Sequence, residues 1–282
     1  RPRDRRSDIA ARRTGEIAAK YRRFTTFLEK NTMPNHIKNR LIITADNVHE
    51  ILTFLRTNAD DGERPVDFNK LVPMPEILRG NSPDSLVKDW AEIATGLRTV
   101  DSLNKRYENV GASFAAGDYK TAADAMHQSS LIKMLTEGPF PKDFEEDRFN
   151  SLLSCMRAIR ETGFVSWYEW ALKNWGTKWN AYDAAVKDGN VLWFDTAWSA
   201  VPNLIGKLSE LFPSATFNYT WADEDIGSNT GRLVIAGGEL VSECVPENSS
   251  IDAYDIAFEL RPDCRENYEL IAGKYTYKDE DE

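Results

Sequence analysis

Residues 181–221 read AYDAAVKDGNVLWFDTAWSAVPNLIGKLSELFPSATFNYTW. Asp188-Gly189 stands between Ala181–Lys187 and Val191–Trp198. An Asp-Gly pair between two strand-like runs is a strong hairpin signal, because both residues tolerate the positive φ that a tight turn needs. Pro202 sits where a first helical turn has no use for an N–H. Leu204, Ile205, Leu208, Leu211 and Phe212 follow at helical spacing, predicting an inward face, and Pro213 closes the helix. Ala215, Phe217, Tyr219 and Trp221 then alternate with Thr216, Asn218 and Thr220, which predicts a strand with one buried and one wet face.

The same pattern can be followed in both directions. Upstream, Phe164, Trp167, Tyr168, Ala171, Leu172 and Trp175 fall at offsets of one helical stripe, with Gly176 placed for a left-handed C-terminal cap. Downstream, Arg232–Ala236 and Glu239–Val245 predict a second hairpin turning at Gly237-Gly238. Nearer the N-terminus, Arg40–Thr44 is a β-branched run that reads as a buried strand. Asp46 or Asn47 then caps a helix whose face is Val48, Ile51, Leu52 and Leu55. Val66–Leu71 alternates as a further strand, stopped by Pro73 and Pro75. From Ser82 to about Arg148 the pattern turns helical, with Ser82-Pro83 as the opening cap and an Ala-rich stretch at Tyr119–Met134.

In order, these elements predict an α+β fold: a ferredoxin-like antiparallel sheet, helices on one face, and an added C-terminal hairpin. A helical insertion at about 76–176 is expected between the two β-α-β halves. The implied organisation is a basic helical arm over 1–32, a domain over 33–245, and a C-terminal extension over 246–282 with an acidic tail. Met33 is itself a candidate translation start, and the arm then reads as an upstream extension.

Several motifs resemble a known family. They are Met33–Leu41, Val66–Pro75, Trp170–Asp183 (WALKNWGTKWNAYD), Phe194–Trp198 and Tyr219–Gly227 (YTWADEDIG). Together they resemble the YubB-type ferredoxin-like family, also grouped as Api-like ferredoxin-domain proteins of bacterial plasmids, prophages and phages. The resemblance implies a ferredoxin-like domain in a mobile-element setting, with no activity attached and no iron–sulfur cluster.

Composition narrows the chemistry. Residues 1–32 hold ten Lys/Arg and four Asp/Glu, a net of +6, so the formal charge of −10 leaves −16 on residues 33–282. A body this acidic repels phosphate, and the arm, with Arg12, Arg13, Arg22 and Arg23 off its apolar face, carries the electrostatic case for nucleic acid. Cys155, Cys244 and Cys264 lack the number and spacing that a cluster needs. His36, His49 and His127 share no zinc-ligand spacing. No metal or cofactor is expected. No run reaches the roughly 18 apolar residues of a membrane span, and the unpaired cysteines point to the cytoplasm, which the resemblance makes that of a bacterial host.

No phosphate loop or nucleophile elbow is present. The candidate site is therefore the acidic run Asp223-Glu224-Asp225 after the strand ending at Trp221, with Asp195 and Trp198 facing the same region. The competing reading is that this loop merely orders itself through side-chain-to-backbone bonds. Most of the tryptophans are expected in the core, since they lack interleaved Lys/Arg. The leading expectation is a non-catalytic accessory protein that binds a host protein. The alternatives are a nucleic-acid binder using the arm and the sheet aromatics, and an enzyme built on the Asp/Glu cluster.

Overall fold

The computed structural model describes residues 35–59, 62–98 and 146–278. The arm with Arg12, Arg13, Arg22 and Arg23, the Met33 start and the Tyr119–Met134 helix lie outside the described residues. The described residues fall into two compact units, one comprising those up to Pro73 and from Ala171 onward, the other those within Met74–Trp170.

In the larger unit, β1 (His36–Thr44) leads to α1 (Val48–Leu55) and then a short hairpin, β2 (Thr57–Ala59) with β3 (Gly62–Arg64). The smaller unit carries α2 (Ser85–Ala94), α3 (Glu146–Thr162) and the first turn of α4 (Trp167–Asn174). The larger unit resumes with β4 (Tyr182–Lys187), β5 (Val191–Ala197), α5 (Pro202–Leu211), β6 (Thr216–Ala222), β7 (Gly231–Ala236) and β8 (Glu239–Cys244). It ends with α6 (Ile251–Leu260) and a hairpin of β9 (Tyr268–Ile271) and β10 (Lys274–Tyr277).

The six-stranded sheet runs β4-β5-β1-β6-β7-β8, with every neighbouring pair antiparallel. Its first four strands, with α1 leaving β1 and α5 joining β5 to β6, make a ferredoxin-like fold, and β7–β8 is the expected added hairpin. Ile37, Leu41 and Ile43 of β1 point into the core with Leu192, Phe194, Phe217 and Tyr219. On that face the rings of Phe54 in α1 and Phe212 after α5 meet edge to face at 5.5 Å, so the two helices are neighbours. The Asp188-Gly189 turn forms as its residues predict, with φ of 52° and 76°.

One predicted strand does not form. Within Val66–Leu71, Phe68–Lys70 is a turn of 3₁₀ helix, because the Asp67 carboxylate accepts from the Asn69 backbone N–H at 2.9 Å. Asn180 also donates to Asp67, at 2.7 Å. Such local bonds offer the backbone an alternative to a ladder. The second strand of the first β-α-β unit is β4 instead, so the insertion lies inside that unit, between α1 and β4, and not between the two halves.

Three smaller expectations also shift. Helix α2 is capped by Asp84, whose carboxylate accepts from the Val87 N–H at 2.9 Å, and not by Ser82. In α4 the buried residues are Trp170 and Ala171, followed by Trp175, while Leu172 is 36% exposed. Phe164 precedes the helix, so the six-residue stripe loses its first member and an overlapping face turns inward. Leu211, expected inward, is exposed.

The extension after β8 is structured. Helix α6 lies on the sheet face opposite α1 and α5, where Ala257 and Leu260 cluster with Ala222, Trp193 and Ile226. The β9–β10 hairpin folds onto α6 through Tyr254, Phe258, Tyr268 and Tyr275, with ring centroids 5.1–5.8 Å apart.

A polar network runs through the main core. Asn39, fully buried on the central strand, donates to Phe194 O at 3.2 Å and Thr196 Oγ1 at 3.0 Å on β5. The Tyr219 hydroxyl on β6 donates to Asn39 Oδ1 and accepts from the Val201 N–H at 2.9 Å, at the start of α5. Tyr219→Phe keeps the ring and strands both partners in the core. It is expected to cost about 1–3 kcal/mol in urea unfolding with an unchanged m-value; wild-type stability would show the network contributes nothing.

Candidate functional site

β1 begins where β5 and β6 end, so one end of the sheet gathers residues from distant parts of the chain. His36 and Lys38 come from β1, Asp195 from β5, Tyr182 from the start of β4, and Arg261 from the end of α6. On β1, side chains alternate between the core and the α6 face, which puts His36 and Lys38 on the latter. Lys38 pairs with Asp195 in register, and their charges are 3.8 Å apart.

Tyr182 Oη lies 2.7 Å from His36 Nδ1. Burial, with the negative charges of Asp195, Asp183 and Glu224 against the opposing Arg261, pushes the Tyr182 phenol up to about 12. The phenol therefore keeps its proton at neutral pH and can donate to an unprotonated Nδ1. Arg261 donates to the His36 carbonyl at 2.6 Å, tying the end of α6 to the start of β1. Burial pushes the Asp195 carboxyl above its ordinary value, opposed by Lys38 and Arg261.

The acidic run after β6 divides. Asp223 is 6% exposed and both its oxygens are occupied: Oδ1 accepts from Asn35 Nδ2 and the Asp225 N–H at 3.0 Å each, Oδ2 from Asn229 Nδ2 at 3.1 Å. Burial raises its pKa in spite of these bonds. Asp223 thus organises its own loop and is no open ligand, while Glu224 and Asp225 are exposed. Among the described residues no group of three or more His, Cys, Asp or Glu is arranged to hold a metal ion.

The expected tryptophans separate as well. Trp221 is 2% exposed, stacked on Tyr219 at 5.3 Å, with Gly231 pressed so close that a Cβ there would meet the ring at 2.2 Å. It is a core residue and leaves the site. Trp198 is 39% exposed, and its φ of 68° is in the left-handed region that a bulky residue occupies only under constraint. Its N–H donates to Asn35 O at 2.9 Å, which sets it beside the Asn35–Asp223 contact.

Four members of this end were not expected as site residues: His36, weighed only as a zinc ligand, Trp179, counted with the core tryptophans, and Tyr182 and Arg261. Trp179 is 37% exposed, with the Lys178 ammonium 4.6 Å from its ring and Tyr182 edge-on at 6.3 Å. It falls in a turn between α4 and β4, outside both apolar patterns, and that was the available signal. His36 and Tyr182 are brought together only by strand register. The interleaving of cations with aromatics, absent along the sequence, appears across strands: Arg40 and Lys187 sit 5.7 and 5.2 Å from the Trp193 ring.

Residues 174–261 match the family model described as the ferredoxin-like domain in Api92-like protein. That stretch runs from the end of α4 through α6, so it contains β4, β5, β6 and the helix on the second face. The crystal structure of a protein api92 from Yersinia pseudotuberculosis aligns over 76% of this chain and 98% of its own, at 11% identity and a TM-score of 0.33. No curated protein matches the chain. No helix among the described residues is long and apolar enough to cross a membrane.

Asp195 supplies a test of the site's electrostatics. Its folded pKa lies above the ordinary 3.8, so the native state binds more protons than the unfolded chain as pH rises past that value. Stability contributed by the protonated form is lost across that window. The stability of the wild type relative to Asp195→Asn is expected to fall as pH is raised from 3.8 toward neutrality, followed by denaturant unfolding at each pH. Parallel curves would mean the carboxylate is not desolvated.

Proposed function

We propose that this chain is a non-catalytic accessory protein that acts by binding another protein through the sheet end bearing Trp179 and Trp198. The observation that carries the reading is Trp198, a large side chain left 39% exposed on a left-handed backbone. Folding gains little from such an arrangement, and exposed Trp, Tyr and Arg side chains are the types that dominate binding energy at protein interfaces. Tyr182 and Arg261 lie in the same neighbourhood. The motif resemblance adds a mobile-element setting, with the partner a host protein in the bacterial cytoplasm.

An enzyme on the acidic cluster is less well supported, because Asp223 is committed to its loop and Asp195 to Lys38. One observation favours nucleic acid: the Trp193 ring with Arg40 and Lys187 beside it. Against it, Arg40 is paired with Glu259 at 2.5 Å and the ring is already engaged by both cations. The net −16 of residues 33–282 repels phosphate as well.

The test is affinity capture from bacterial lysate with the tagged full chain, its Trp198→Gly variant and its Trp179→Ala variant. Glycine suits the backbone at 198 but gives up the covered part of the ring, so urea unfolding of that variant establishes that it is folded before capture is compared. A host protein retained by the wild type and lost with either substitution is the expected result. Equal capture by all three proteins, or capture of nucleic acid alone, would overturn the reading.

A further inference from the structure

Trp179 and Trp198, the two rings of the proposed binding surface, ride on separate segments: the turn between α4 and β4, and the corner that follows β5. Thr177 connects them. Its hydroxyl, two residues before Trp179, donates at 2.8 Å to the carbonyl of Ala197, one residue before Trp198. Thr177 and Ala197 are both fully buried, so water does not compete for this bond. The two backbones run close together beside it, since a Cβ at Gly176 would lie 3.9 Å from the Ala200 carbonyl.

Each segment is held again on its far side. Beyond Trp179, Asn180 donates to Asp67 at 2.7 Å and accepts from the Phe68 N–H at 2.8 Å. Beyond Trp198, the Ser199 carbonyl accepts from the hydroxyl of fully buried Thr196 at 2.8 Å, and that hydroxyl accepts from Asn39 at 3.0 Å. The Trp198 N–H goes to Asn35 O at 2.9 Å. Residues 197, 198 and 199 thus each give a backbone group to a different partner, the kind of restraint that a tryptophan with a φ of 68° requires. Of these bonds, that of Thr177 spans the two segments.

We propose that Thr177 is a positioning residue of the binding surface: its buried hydroxyl locks the turn bearing Trp179 to the corner bearing Trp198, so that the partner meets the two rings as one preorganised pair. The proposal rests on the protein-binding reading and adds what holds that surface ready. Rings fixed before binding spare the complex the cost of ordering them.

The full chain labelled with 5-fluorotryptophan tests it by fluorine NMR, with the Trp179 and Trp198 resonances identified among those of eight tryptophans by their loss in Trp179→Ala and Trp198→Gly. Thr177→Val keeps the shape of the side chain and removes the hydroxyl, whereas Thr177→Ser keeps the hydroxyl. The valine variant is expected to shift or split both resonances, and the serine variant to leave both at their wild-type positions. Thr177→Ala, in which water can reach the freed carbonyl, takes the place of the valine variant if urea unfolding shows the latter unfolded. Movement of neither resonance or of one alone, or movement as large with serine as with valine, overturns the proposal. In the capture experiment the folded hydroxyl-free variant should retain about fivefold less host protein than wild type. Equal capture despite displaced resonances overturns the proposal and leaves the protein-binding reading standing. If the resonances respond as described but wild type captures no host protein, that reading fails and Thr177 remains the residue that positions the two rings.

Discussion

The rest of the structure depends on a polar residue in an apolar place. Asn39 sits at the middle of β1, a central strand, and its amide bonds to β5 and to the Tyr219 hydroxyl of β6, which in turn accepts from the start of α5. A slip of β1 by one residue would send Asn39 to the other face and bury Lys38 or Arg40 instead. Apolar pairing penalises that slip through burial, and the network adds the cost of stranded donors and acceptors. The register so fixed is the one that places Lys38 opposite Asp195 and brings His36 to Tyr182. The geometry of the sheet end is thus inherited from a core residue that touches none of its charged groups.

The second face is held by different means. Glu259 on α6 takes both Arg40 and Arg232, yet it is 38% exposed and Arg232 is 47% exposed, so solvent screens much of that attraction. Burial of Ala257 and Leu260 against Ala222, with the aromatic cluster packing the β9–β10 hairpin on α6, contributes more. Helix α6, absent from the expected layout, covers β1, β6 and β7, and the Trp193 ring of β5 packs against it.

Legibility followed the range of the forces involved. The β4–β5 hairpin, α5, β6 and the β7–β8 hairpin were readable because turn chemistry and apolar period act within a few residues. Val66–Leu71 misled for the same reason: Val66 and Phe68 are buried as the alternation predicts, but Asp67 diverts the backbone. Helix α6 was missed although both local signals were present: Ser250 caps it by accepting from the Ala253 N–H at 3.2 Å, and Ala253, Ile256, Ala257 and Leu260 repeat at helical spacing. Of the proposed site, Asp195, Glu224 and Trp198 reached the sheet end, while Asp223 and Trp221 turned out to build it. His36, Tyr182 and Arg261 come together through pairings across 146 and 225 residues, which no local pattern carries.

The division between Asp223 and Trp198 shows why the loop after β6 drew attention without being the site. Asp223 gives up its carboxylate to hold Asn35, Asp225 and Asn229, and Asn35 in turn accepts from the Trp198 backbone. A left-handed tryptophan costs conformational energy that must be recovered from its surroundings. The Asn35 carbonyl supplies one such restraint, and the buried Asp223 fixes Asn35. The acidic loop is in this sense the support of the exposed ring: the Asp223 charge is spent inside the fold, while Glu224 and Asp225 stay at the surface.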